Sequence, residues 1–400
     1  MKGTFEDGYK DAYISFGVII GTQKENGTYT GYKNAAEELE FNIVKAMERI
    51  ESLFLETNGK LYIAWSGGKD STVLLQLCKM CYEINSIPFL PKAVFSDTGV
   101  ELQATRDFVK WCKDSGWYPN IEIIKPKKRF VQCINEYGKP MVSKTKSQFI
   151  ASYQRALKNG KEKTSARLLL LYGKSHIDDE RSTSKYKLAN RNFNILHPDF
   201  DIKVSDKCCL TLKKHPFEDY AINNDMYGYM DGEMNDEGGA RESANQKRVK
   251  SGGKVCTKTK YIAKLKRSMI VKMPIVDWSK EIEDEFIKKY NVPLSKAYTE
   301  YGCKRTGCAM RPYAQFSKDV VERLKILYYH EPKMYKYAMA TMKNVYIAQN
   351  IKLPFDSDYE YERTQKWLTV YEKQRYEMMC KYRKEKSDKY KLKNEQLKLF

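Results

Sequence analysis

Ser66-Gly67-Gly68-Lys69-Asp70-Ser71 is the run of residues in this chain best suited to chemistry. It follows a short apolar run, 61–65, and precedes apolar residues at helical spacing over 72–82. Glycines after a buried strand let the backbone turn tightly and aim several N–H groups at one anion. Ser66, Ser71 and Thr72 add hydroxyl donors, Lys69 a cation, and the helix that begins near Asp70 the positive end of its dipole. A Walker A loop would need Gly at position 63 and Ser or Thr at position 70, where Ile63 and Asp70 stand. A dinucleotide-binding fingerprint is absent as well, so the loop is expected to hold a pyrophosphate-like group in another manner than a GTPase or kinase.

The second chemical resource is sulfur. The chain has 10 Cys, and residues 1–10, with Glu6 and Asp7 and no apolar run, are not expected to act as a secretory signal; this argues against a disulfide scaffold and for metal, iron–sulfur or thiol chemistry. Cys78 and Cys81 fall inside the apolar helical pattern and read as core. Cys112, Cys133 and Cys380 are scattered. Cys208, Cys209, Cys256, Cys303 and Cys308 remain as candidate ligands or reactive thiols. His176, His197, His215 and His330 share no metal-ligand spacing, and His215, beside the cysteine pair, reads first as packing.

The elements that must position these residues are legible around the loop. Residues 35–55 carry apolar side chains at helical spacing and stop near Asn58-Gly59. Strands are expected at 61–65, 93–95 and 121–124, with helices over 72–82 and 105–113 between them. That alternation implies an α/β fold, a parallel twisted sheet with helices on both faces, which binds ligands outside the carboxyl ends of its strands. Residues 125–207 read as a basic, mainly helical insertion. Lys125, Lys127, Lys128, Arg129, Lys144, Lys146, Lys158, Lys161, Lys163 and Arg167 would line a nucleic-acid groove there or a solvated face, with Tyr153 and Tyr172 offered for stacking. Residues 227–253, rich in Gly, Asp, Glu and Asn, read as a loop, 279–290 as a helix, and 320–400 as a helical extension with a Lys-rich end.

Composition bounds the classes. The 400 residues hold 71 Lys+Arg against 51 Asp+Glu, a net charge of +20, which favours a polyanionic partner or simply solubility. Apolar residues make up 42% and aromatic ones 13%, too many for a disordered chain. No run approaches the roughly 18 apolar residues of a membrane span. The expectation is a soluble, cytoplasmic protein.

The loop and the segments after it resemble a known family. Ser-Gly-Gly-Lys-Asp-Ser after a strand is similar to the PP-loop of the ATP pyrophosphatase and phosphoadenosine phosphosulfate (PAPS) reductase superfamily, the adenine nucleotide alpha hydrolases. Phe95-Ser96-Asp97-Thr98-Gly99-Val100-Glu101 resembles the second-strand motif of the PAPS reductase branch. Tyr137-Gly138-Lys139-Pro140, Lys207-Cys208-Cys209, Glu237-Gly238-Gly239-Ala240-Arg241, Pro274-Ile275 with Trp278, and Tyr301-Gly302-Cys303-Lys304-Arg305-Thr306-Gly307-Cys308 resemble segments of its phage- and bacterium-encoded members.

The resemblance implies that Ser66, Gly67, Gly68, Lys69, Asp70, Ser71 and Thr72 hold the phosphates of ATP or PAPS. Asp97, Thr98, Gly99 and Glu101 would face nucleotide, Mg²⁺ or substrate, and Arg241 would clamp an anion. Lys69, Asp70 and Asp97 are the expected catalytic residues. A [4Fe–4S] cluster is implied on Cys208, Cys209, Cys303 and Cys308, with Cys256 in reserve, or those thiols pack or react without iron. Three departures qualify this. Arg311 stands where a last cysteine is expected and would lower the pKa of Cys308. Met234 replaces an Arg, and Cys380 lacks the His of the C-terminal reductase motif. The expected organisation is an N-terminal segment 1–60, core halves 61–125 and 208–315 around the insertion 126–207, and the extension 316–400. The function expected is ATP cleavage at the α-phosphate with pyrophosphate release, activating an acceptor for sulfur transfer to tRNA or DNA from a sulfur-donor protein. The alternatives are PAPS or adenylyl sulfate reduction through these cysteines, or a nucleotide- or nucleic-acid-binding protein without the chemistry.

Overall fold

The computed structural model describes residues 2–3, 11–15, 18–23, 35–161, 166–173, 184–235, 255–310 and 317–354. The chain divides into two units, one of residues 1–97, 103–126 and 215–307, the other of residues 98–102, 127–214 and 308–400.

The first unit opens with three antiparallel strands, β1 (Lys2–Gly3), β2 (Asp11–Ser15) and β3 (Val18–Gln23), where the sequence suggested none. Helix α1 (Ala35–Thr57) has Glu37 and Glu38 in its first turn, complementing the helix dipole. It stops where Asn58 (φ +49°) and Gly59 (φ +73°) turn left-handed and Gly59 N–H donates to Phe54 O at 2.9 Å. The main sheet then begins with β4 (Leu61–Trp65), α2 (Lys69–Glu83), β5 (Lys92–Ser96), α3 (Gln103–Asp114) and β6 (Ile121–Ile124). It is completed by β7 (Gly228–Met230), β8 (Thr257–Ile262) and β9 (Arg267–Lys272). The order is β6-β5-β4-β7-β9-β8, all parallel except β8, which runs antiparallel to β9.

Side-chain alternation along β4 covers both faces of the sheet. Leu61, Ile63 and Trp65 pack with α1, α2, α3 and the helix Lys280–Lys289, through residues such as Ile50, Leu74, Phe108 and Phe286. Tyr62 points the other way, with Val94, Tyr220, Ala221, Ile262 and Met269. It lies 5.2 Å from the Tyr220 ring and 5.4 Å from the Tyr229 ring. Ile63, Leu74, Leu75 and Leu77 are fully buried, each worth about 1.5–3 kcal/mol against exposure. Cys78 and Cys81 are buried beside them, as core cysteines should be.

β7 corrects the sequence reading of 227–253 as loop: Gly228–Met230 forms a central strand between β4 and β9. Three residues are too few for an alternation pattern, and their neighbours are turn-forming. The rest of that stretch from 236 onward lies outside the described residues. The chain thus leaves β4 toward β5 and β6, then returns to place β7 on the other side of β4. This is a topological switch point, and it opens at the end of β4 that carries the Gly-rich loop.

The second unit is mainly helical. Its helices include Phe130–Tyr137, Lys144–Lys158, Ala166–Leu171, Ser317–His330 and Pro332–Ala348. Ser143 caps the second, its Oγ accepting from Lys146 N–H at 3.2 Å. Phe149, Ile150, Leu171, Leu196, Leu324, Leu327 and Tyr346 are buried, and Tyr346 OH donates to Met310 O at 2.7 Å. Tyr153 and Tyr172 are not stacking platforms: they are 1% and 5% exposed, and Tyr153 OH donates to Leu196 O at 2.8 Å. Several of the basic residues also have structural tasks. Lys146 Nζ donates to Lys187 O at 2.7 Å, and Arg167 covers the Phe149 ring at 4.5 Å. Among the described residues no helix is long and apolar enough to cross a membrane.

Candidate nucleotide site

In the first unit, a cavity of about 740 Å³ opens at the switch point, against the amino end of α2. Ser66, Gly68, Lys69, Asp70 and Ser71 form one wall, and residues 231–234, at the carboxyl end of β7, a second. Lys280 and Glu283 come from the helix Lys280–Lys289, and Tyr298 and residues 303–307 close the rest. A volume of this size suits a nucleotide.

Hydrogen bonds fix the loop. Gly67 has φ +67°, and a Cβ there would meet Thr105 Cγ2 at 2.8 Å, so both conformation and space require glycine. Gly68 N–H donates to Ser66 Oγ at 3.2 Å, and the Ser66 and Ser71 hydroxyls lie 2.9 Å apart. Thr72 is buried, its Oγ1 donating to Gly68 O at 2.8 Å and accepting from Trp65 Nε1–H at 3.2 Å. It braces the loop from behind and does not line the cavity. Lys69 N–H donates to Tyr298 OH at 3.1 Å, so a residue far along the chain also holds the loop.

The wall carries both signs of charge. Lys69 Nζ lies 2.7 Å from Glu283 Oε2 and 2.8 Å from Asp284 Oδ1. Burial works to lower the lysine pKa, but the two carboxyl groups outweigh it and raise the value above the usual one. Glu283, 1% exposed, is pushed up to about 8, first by burial and then by the neighbouring charge of Asp70. At neutral pH it is mostly the uncharged acid. Lys258 reaches in to Glu233 at 2.9 Å and Asp231 at 4.0 Å, balancing the β7 exit.

The other expected residues are placed differently. Asp97, at the carboxyl end of β5, pairs with Arg106 at 3.1 Å. Glu101 is buried in the second unit, accepting from Thr98 N–H at 3.0 Å and Thr98 Oγ1–H at 2.6 Å, so it closes its own turn. Gly99 in that turn has φ +84°. Met234 lines the cavity where the resemblance leads one to expect an arginine. Arg241, Arg311 and Cys380 lie outside the described residues. Sequence reasoning passed over Asp231, Gly232, Glu233, Lys280, Glu283 and Tyr298. Only the fold brings them to the loop, and no local motif announces them.

The cysteines divide between the units. Cys303 lines the cavity in the first unit, whereas Cys208, Cys209 and Cys308 belong to the second. Among the described residues no three His, Cys, Asp or Glu side chains are grouped to hold a metal ion. Cys208 Sγ–H donates to Cys209 Sγ at 4.0 Å. That bond, with Lys213 and Lys144 nearby, overcomes burial and pulls the Cys209 thiol down to about 6. Cys308 goes the other way from the sequence expectation, since burial pushes it up to about 11.

A family model, the phosphoadenosine phosphosulfate reductase domain, matches residues 60–314. The chain belongs to this family. The matched span of the PAPS reductase domain begins one residue before β4 and includes the loop, the β7 exit, Glu283 and residues 303–307, the whole wall of the cavity. Among solved structures, the crystal structure of phosphoadenylyl-sulfate (PAPS) reductase from Candida auris, in a phosphate complex, is similar at 12% identity. The match covers 70% of this chain and 97% of that one, with a TM-score of 0.38. No curated protein matches the chain.

Proposed function

We propose that this PAPS reductase family member binds ATP in the cavity at its PP-loop and breaks the bond at the α-phosphate, releasing pyrophosphate. The observation that carries the reading is the hydrogen-bonded loop at the switch point of a parallel sheet, facing a nucleotide-sized cavity. An acceptor oxygen attacks the α-phosphorus, the bond to the bridging oxygen breaks, and the pyrophosphate takes the electron pair. The chain's own contribution is positioned charge. Loop N–H groups and the amino end of α2 receive the phosphates, the Ser66 and Ser71 hydroxyls donate to them, and Lys69 offsets charge on the leaving group. Asp70 orients Lys69 from within the same turn. Asp97 acts through Arg106, which it holds at 3.1 Å, and Arg241 supplies an anion clamp. Mg²⁺ would supply further charge compensation with the nucleotide; no step is assigned to it. The acceptor proposed is a nucleic acid, in a sulfur-transfer reaction, on the strength of the +20 net charge. Pyrophosphate release from ATP, with and without tRNA or DNA, tests this. Release abolished by Lys69→Ala and Asp70→Ala supports the reading, and turnover that survives both overturns it.

One observation favours a second reading, reduction of a sulfonucleotide: the Cys209 thiol pulled down to about 6. Its thiolate would attack the sulfur of the nucleotide sulfate, forming an S–S bond as the S–O bond breaks and the nucleotide phosphate leaves. A second thiol would then free sulfite and leave a disulfide. Sulfite production from PAPS with a thiol donor, lost in Cys209→Ser, would select this reading over ATP cleavage.

A further inference from the structure

One carboxyl group in the cavity wall lies far outside the loop sequence. Glu283 occupies the first turn of the helix Lys280–Lys289, which packs against α2, and it is 1% exposed. Lys69 Nζ pairs with its Oε2 at 2.7 Å, and neither carboxyl oxygen has a well-aligned hydrogen-bond partner among the described residues. Asp70 lies beside it, and its charge works against ionisation of Glu283. A buried acid that sits against both a loop lysine and a loop aspartate is well placed to govern how that loop meets an anion.

We propose that Glu283 is a positioning residue of the phosphate loop, a buried acid that gathers Lys69 and Asp70 around it and sets the charge an incoming phosphate meets. This rests on the reading that the loop binds a nucleotide, and extends it to a residue outside the hexapeptide. The groups facing Glu283 are Lys69 and Asp70 on α2, and Lys280 and Asp284 on its own helix. From α1, which also packs on this helix, Glu40 pairs with Lys289 at the far end. Across the cavity stand Asp231, Glu233, Lys304 and Arg305. With Glu283 as the neutral acid, Lys69 keeps most of its charge for a phosphate. Ionising Glu283 adds an anion beside the anion site and draws the lysine inward. The acid is held neutral to about pH 8 by burial and by Asp70, so phosphate binding weakens as pH rises through that value.

The test is calorimetric titration of ATP into the wild-type chain and Glu283→Gln from pH 7 to pH 9. Over this range the nucleotide phosphates are already ionised. If only the protonated form binds well, wild-type affinity falls about tenfold across the two units. Glu283→Gln, which cannot ionise, loses that slope and binds about tenfold more tightly than wild type at pH 9. Equal slopes in the two proteins overturn the proposal. If wild type binds no ATP at any pH, the nucleotide reading fails, and Glu283 is then judged in the unliganded protein by infrared difference spectroscopy. A protonated-carboxyl band at pH 7 that fades by pH 9 and is missing in Glu283→Gln supports the cluster. Absence of that band overturns it.

Discussion

Gly232 meets the backbone of Ser71 so closely that a Cβ on it would stand 2.9 Å from both Ser71 N and Ser71 Cα. The contact joins the exit of β7 to the first turn of α2. Backbone cannot give way as a flexible side chain can, so the only remedy for an added methyl is to push the loop from its strand. Gly232→Ala is expected to cost about 1–3 kcal/mol in denaturant unfolding and to weaken ATP binding together with it. Unchanged stability with unchanged affinity would show that this junction does not shape the loop.

Lys69 stands between the cavity and two acidic side chains. Charge-assisted hydrogen bonds contribute about 1.5–3 kcal/mol, so Lys69→Met should weaken ATP binding by roughly 10- to 100-fold. Because Asp284 is exposed and Glu283, raised to about 8, is mostly the neutral acid at pH 7, stability should change far less than affinity. Calorimetric titration beside a thermal melt separates the two effects.

Cys209 is the thiol to label. At about 6 its pKa lies below neutral pH, while burial holds Cys308 at about 11 and Cys81 and Cys112 at about 12. Iodoacetamide at pH 7, followed by peptide mass spectrometry, should modify Cys209 first, and the rate should fall as pH drops through about 6. Preferential labelling of Cys308 would contradict the assignment.

Much of the first unit was legible because its signals are local. The apolar runs that became β4, β5 and β6 and the periodic segments that became α1, α2 and α3 each carry their own pattern. The expected helix 72–82 lies within Lys69–Glu83, and 279–290 brackets Lys280–Lys289. The loop itself needed only Gly67, Gly68 and their hydroxyl neighbours. What escaped was non-local. β7 has three residues and is a strand because β4 and β9 flank it. Glu283 looks like any acid of a helical first turn until burial and Lys69 single it out. Tyr153 and Tyr172 failed as stacking platforms because packing decides whether an aromatic ring faces water. Order along the chain also does not show that Cys303 belongs to a different unit from Cys208, Cys209 and Cys308.

Asp277 ties α1 to the segment after β9. Burial works to raise its pKa, but Arg49 at 2.7 Å and Lys45 at 2.5 Å prevail and bring it from 3.8 to about 2. A depressed acid stabilises the fold above its unfolded value, and that contribution is lost as pH falls through about 2. With the carboxylate about a third exposed, Asp277→Asn should cost about 1–2 kcal/mol at pH 7, and the cost should shrink in acid. A penalty that stays constant from pH 7 to pH 2.5 would assign it to something other than charge.

The central claim is that residues 66–71 hold the phosphates of an adenine nucleotide, and a crystal structure of the chain with ATP tests it most directly. The account predicts the phosphates against the loop N–H groups and the Ser66 and Ser71 hydroxyls, with Lys69 Nζ moved from Asp284 onto a phosphate oxygen. ATP bound elsewhere on the chain, with the loop empty and the Lys69–Asp284 pair intact, would contradict it.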